Sequence, residues 1–119
     1  MSTRFTIRAE NPAYARQIVR ASLPGVTTEV VETAQLLVFD LVTNAIVHGS
    51  GDPTLLLDIR ADCLHVEVHD SDTTPDLEPL QGEPSRERGR GLAIVNALAS
   101  SWGVQPRSDG KAAWFDLDL

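Results

Sequence analysis

Asp40, Thr43 and Asn44 interrupt the apolar stretch of residues 36–47, in a segment whose other side chains are Leu, Val, Phe, Ala and Ile. All three are weak helix formers, and a carboxylate held away from water is costly unless it is paired, hydrogen-bonded or bound to a metal. On a helix turning about 100° per residue, Asp40 and Asn44 lie about 40° apart on neighbouring turns, with His48 a further 40° round. One helix edge thus offers a carboxylate, an amide and an imidazole to whatever faces it. An amide oxygen suits a hard cation such as Mg²⁺, which takes few protein ligands beside phosphate oxygens and water. A carboxylate can orient or deprotonate a nucleophile. Taken without the rest of the chain, a plainer assignment is favoured, in which Asp40 and Asn44 bond neighbouring backbone and Thr43 is solvated.

Two further groups give that edge a purpose. In LHVEVHD, period two puts Leu64, Val66, Val68 and Asp70 on one face, so a carboxylate points inward at the end of a strand. There it can accept a hydrogen bond from an exocyclic amine such as that of adenine, although Asp70-Ser71-Asp72 is also good turn chemistry. The opposite face carries Cys63, His65, Glu67 and His69. A metal trio there ranks below an ordinary solvated face. In SRERGRGL, Gly89 and Gly91 let backbone approach a ligand, the helix that starts there offers free N–H groups to phosphates, and Arg86, Arg88 and Arg90 add counter-charge.

The elements that must position these groups follow from periodicity and turn chemistry. Residues 3–8 alternate as a half-buried strand, with Phe5 and Ile7 on one side. Asn11 and Pro12 open a helix over residues 12–23, closed by Pro24 and Gly25. A second helix starts after Thr27 or Thr28 and runs to His48, where Gly49, Ser50 and Gly51 stop it. Residues 54–60 and 63–70 read as a hairpin. Residues 71–88 hold three prolines and little apolar content, a long loop suited to a ligand lid or to plain disorder. Helical periodicity returns over residues 91–100, and strands at 104–107 and 112–117 flank the Asp109-Gly110 turn. The order predicts an α/β (α+β) two-layer sandwich: a mixed, mostly antiparallel sheet with helices on one face.

The chain has 119 residues, 42% of them hydrophobic, enough for one domain with its own core. A net charge of −7 argues against direct binding to nucleic acid. A single cysteine, and no apolar run that suggests insertion or export, lead to the expectation of a cytoplasmic protein without membrane contact.

Asp40-Leu41-Val42-Thr43-Asn44-Ala45-Ile46-Val47-His48-Gly49, Asp70-Ser71-Asp72-Thr73-Thr74-Pro75 and Gly89-Arg90-Gly91-Leu92, in this order, resemble the three nucleotide-binding boxes of the GHKL ATPase superfamily. The likeness is nearest to the stand-alone anti-sigma-factor serine/threonine kinases, and the ending Gly110-Lys111-Ala112-Ala113-Trp114-Phe115 shares it. The resemblance implies a Bergerat-type fold over residues 1–119 that binds ATP and Mg²⁺. Asn44 would hold Mg²⁺ and Asp70 would read the adenine amine. His48, Pro75, Arg88, Gly89, Arg90, Gly91 and Leu92 would complete the ATP site, beneath a lid at about residues 71–88. Asp40 would be the catalytic base, at a position where the family usually has Glu. One methylene fewer withdraws the carboxylate, and misplacement on that scale slows a reaction by on the order of 10²-fold. The implied partners are a sigma factor and an anti-sigma antagonist, the latter phosphorylated on Ser or Thr, with the chain acting as a homodimer. A non-catalytic ATP-sensing module is the alternative. A histidine-kinase fragment ranks third, because no helical hairpin presents a phosphoacceptor histidine.

Overall fold

The computed structural model describes residues 2–72, 95 and 97–119. Two helices, α1 (Tyr14–Ser22) and α2 (Thr28–His48), follow strand β1 (Ser2–Thr6) and precede strands β2 (Thr54–Ile59), β3 (Cys63–Asp70), β4 (Ser101–Arg107) and β5 (Gly110–Asp118). The strands form one sheet in the order β1-β2-β3-β5-β4, with every neighbouring pair antiparallel. The expected two-layer α+β sandwich is present.

Strand alternation decides which face the helices cover. Leu55, Leu57, Leu64, Val66, Val68, Phe115 and Leu117 are buried, and register places Val66 between Leu57 and Phe115. Against this face lie Ala15, Ile18 and Val19 of α1, and Ala34, Leu37, Val38, Leu41, Val42 and Ala45 of α2. Both sets recur at three- and four-residue intervals, the spacing of a helix with one buried stripe. Gln35 Nε2 donates to the Arg16 carbonyl at 3.0 Å and the Arg16 guanidinium stacks 4.4 Å from the Phe39 ring centroid, which ties α1 to α2.

Helix α2 has the bounds expected of it, and its apolar content exceeds what it buries. Leu36 and Val47 are exposed, since only one stripe of the helix meets the sheet. By length and composition alone α2 is apolar enough to cross a membrane, contrary to the expectation of no such run. Here its buried stripe packs on the sheet. Helix α1 starts two residues later than Asn11-Pro12 suggests. The N–H groups of Tyr14, Ala15 and Arg16 bond carbonyls three residues back, so a tighter turn precedes the α-helix.

Val95, Ala97 and Leu98 are helical, within the helix expected over residues 91–100, but Ala99 and Ser100 are not, and β4 follows at once at Ser101; the Ala99 N–H donates to the Val95 carbonyl at 2.8 Å. The lid expectation at 71–88 falls, beyond Asp72, outside the described residues.

Candidate functional site

Asp40 and Asn44 sit one turn apart on α2, both half-buried, at the flank of the stripe formed by Leu37, Leu41 and Ala45. Thr43 between them bonds back along the helix, its hydroxyl donating to the carbonyls of Phe39 at 2.9 Å and Asp40 at 3.1 Å. Such back-bonding is how a threonine is satisfied inside a helix. Asp40 is different. Its Oδ2 is shut off from solvent and has no hydrogen-bond partner among the described residues. The plain assignment therefore fails: Thr43, expected to be solvated, is the residue that bonds backbone, and among the described residues the Asp40 and Asn44 side chains do not. Burial pushes the Asp40 carboxyl above its ordinary value.

That shift makes a prediction about stability. A raised folded-state pKa means that the native protein binds the proton more tightly than the unfolded chain does. Ionised Asp40 therefore weakens the fold at neutral pH, and the penalty is relieved as pH falls through the folded-state value. Asp40→Asn should raise Tm at neutral pH by about 2–5 °C, a gain that shrinks as pH drops toward the carboxylate range. Thermal melts across pH check this; a gain independent of pH contradicts it.

Asp70 ends β3 where α2 ends. A Cβ on Gly49, the residue that closes α2, would meet the Ala45 carbonyl oxygen at 2.7 Å and Asp70 Cβ at 3.2 Å, so only glycine allows this approach. On the other side a Cβ at Gly110, whose φ is +155°, would fall on the Asp70 carbonyl oxygen. Ser71 fastens the same corner: its Oγ accepts from the Ser50 N–H at 2.9 Å and donates to the Ser50 carbonyl at 2.7 Å. The inward phase read from LHVEVHD thus carries through to a carboxylate pressed between a helix end and a hairpin.

Asp70 also has partners that the sequence reading missed. Its Oδ1 accepts the Asp72 N–H at 2.8 Å, the expected turn chemistry, and its Oδ2 receives Lys111 Nζ at 2.7 Å. Lys111 lies directly across from Asp70 in the β3–β5 register and reaches Asp72 Oδ2 at 3.4 Å. The available signal was the phase of GKAAWFDL, in which Lys111 shares a face with Ala113, Phe115 and Leu117.

His48 is the last residue of α2 and is half-buried, one turn beyond Asn44. Pro75, Arg88, Gly89, Arg90, Gly91 and Leu92 lie outside the described residues, as does Arg86. Among the described site residues, the structure brings Asp40, Asn44 and His48 onto one helix and sets Asp70 against its end.

The far face of the sheet has its own polar network. His65 Nδ1 is 2.6 Å from Asp116 Oδ1, and its Nε2 is 2.9 Å from Glu67 Oε2; Glu67 Oε1 is 2.8 Å from His69 Nε2. Burial alone would lower the His65 pKa, but the bonds to Glu67 and Asp116 outweigh it and raise it. Bonds from His69 and then His65 hold Glu67 low. The side chains that suggested a metal trio are bonded to one another and to Asp116.

An α+β sandwich that sets a helix-borne Asp/Asn pair beside an inward carboxylate at a strand end is the frame of a nucleotide-binding ATPase of the histidine-kinase type. Residues 5–116 match the model of the histidine kinase-like ATPase domain. The chain belongs to that family and binds ATP. It is also 35% identical over 77 residues to an uncharacterized protein of Streptomyces coelicolor, a match covering 61% of this chain and 73% of the relative.

The residues present fit Mg²⁺ beside the nucleotide. Among the described residues, the Asn44 side chain makes no hydrogen bond and, one turn away, Asp40 Oδ2 has no partner. An amide oxygen of this kind, joined by phosphate oxygens and water, suits the ion's preference for few protein ligands.

Proposed function

We propose that this protein is a regulatory serine/threonine kinase of the anti-sigma-factor type, a homodimer that binds a sigma factor and phosphorylates an anti-sigma antagonist. The observation that carries the reading is the buried Asp40 oxygen, without a hydrogen-bond partner among the described residues, one turn from Asn44. A buried carboxylate without a partner weakens a fold, and it is retained where a reacting hydrogen completes it.

In the proposed step the Asp40 carboxylate accepts the proton of a Ser or Thr hydroxyl as that oxygen attacks the γ-phosphorus. The bond from γ-phosphorus to the β,γ-bridging oxygen breaks, and ADP departs with its electron pair. The raised pKa of Asp40 brings it nearer the range in which a general base works at neutral pH. Asp70 orients the base of the nucleotide, and Asn44 would hold Mg²⁺. When bound, that ion neutralises charge on the β- and γ-phosphates. In this reading Arg86, Arg88 and Arg90, with Gly89 and Gly91, supply further phosphate contacts, and His48, Pro75 and Leu92 lie around the nucleotide. Position in the cytoplasm follows from the same role.

A second reading rests on the shortness of Asp40. An aspartate in place of the longer glutamate supports an ATP-sensing module that changes its partner surface without transferring phosphate. One experiment separates the two. The purified protein is incubated with [γ-³²P]ATP, Mg²⁺ and a co-purifying antagonist, and partner affinity is measured with and without nucleotide. Label on a Ser or Thr of the antagonist supports the kinase. Unlabelled antagonist with nucleotide-dependent affinity supports the sensor.

A further inference from the structure

Lys111 carries a largely buried ammonium at the place where the nucleotide's base is expected. Its side chain is 12% exposed and that of Asp70 4%, and they meet at 2.7 Å. Asp72, 8% exposed, lies 3.4 Å from the same nitrogen. Burying a lysine beside two carboxylates is not needed to close this hairpin, since the pairing of Arg107 with Gly110 already does so. Three charges are desolvated together here, an arrangement costlier than an apolar cluster of the same volume.

The valences of the group point outward. An ammonium has three donors, and two of them face Asp70 and Asp72. The third has no acceptor among the described residues. Each Asp70 oxygen takes one of the bonds given above, and a carboxylate oxygen can accept two. Among the described residues, the pair therefore keeps a free acceptor position on each Asp70 oxygen and one free donor on Lys111, side by side in a site bordered by Gly49 and Gly110.

We propose that Lys111 reads the base together with Asp70: Asp70 accepts from the N6 amine of adenine while Lys111 donates to N1. This deepens the ATP-binding reading and rests on it. Adenine's edge presents a donor and an acceptor in that order. Guanine in the same placement turns its O6 acceptor toward Asp70 and its N1–H donor toward Lys111, so both contacts become repulsive. The pair is thus a specificity element for adenine, and Lys111 also positions the Asp70 carboxylate.

The test compares ATP with 1-deaza-ATP, in which a C–H replaces N1, by calorimetry on the full chain. Wild type should bind 1-deaza-ATP about tenfold more weakly, the loss expected for one hydrogen bond to a charged group. In Lys111→Met the two nucleotides should bind alike. Equal binding of both by wild type overturns the assignment and needs no variant that folds. An undiminished preference in Lys111→Met overturns it as well. Wild type that binds neither nucleotide overturns the ATP reading itself, a different result from either.

Discussion

Asn44→Ala should weaken Mg-dependent ATP binding by on the order of 10²-fold, because in the proposed site the variant loses the amide oxygen on α2 that would hold the ion, and with it the ion's grip on the phosphates. The variant should fold normally. Asn44 is half-buried and bonds no described side chain or backbone group, so its truncation leaves no described partner unsatisfied. Alanine is also the better helix former. The defect should therefore appear as lost dependence on Mg²⁺ rather than as lost stability. Affinity for ATP measured over a Mg²⁺ series checks this. An Asn44→Ala protein whose affinity rises with Mg²⁺ as steeply as wild type would remove Asn44 from the site.

Position 40 governs the second large effect. Asp40→Ala should lower phosphotransfer by roughly 10²–10⁴-fold, the usual contribution of a general base, while ATP affinity stays within a few-fold of wild type. Asp40→Glu should act in the opposite direction and raise the transfer rate by on the order of 10², since one methylene restores the reach of the carboxylate. The two variants together are more informative than either alone. A residue with only a structural role would give no gain with Glu. A rate that is the same in wild type, Asp40→Ala and Asp40→Glu would assign the proton transfer elsewhere and favour the sensor reading. Asp40→Asn, expected to be the more stable protein at neutral pH, links the same carboxylate to a cost in stability that its chemistry explains.

Several of the candidate residues stand out in the sequence because local rules are broken at them. Asp40 and Asn44 stand out in an apolar helix on propensity alone, and α2 begins at Thr28 and ends at His48 as its turn chemistry indicates. Strand β3 has the expected bounds, and its period-two phase correctly turns Asp70 inward. The first turn of α1 was misjudged because Asn11 and Pro12 fit a turn as well as a helix start. Lys111 was missed for a different reason. Its contact with Asp70 spans 41 positions and depends on β5 pairing with β3 rather than only with β4, a register that no local pattern encodes. The polar face of β3 read correctly as alternation, but its bonds to Asp116 depend on that same pairing.

Calorimetric titration of the wild-type chain with Mg-ATP tests the central claim most directly. The account predicts saturable binding of one nucleotide per chain, weakened in Asn44→Ala and retained in Asp40→Glu. A wild-type protein that gives no saturable binding of any adenine nucleotide would contradict it.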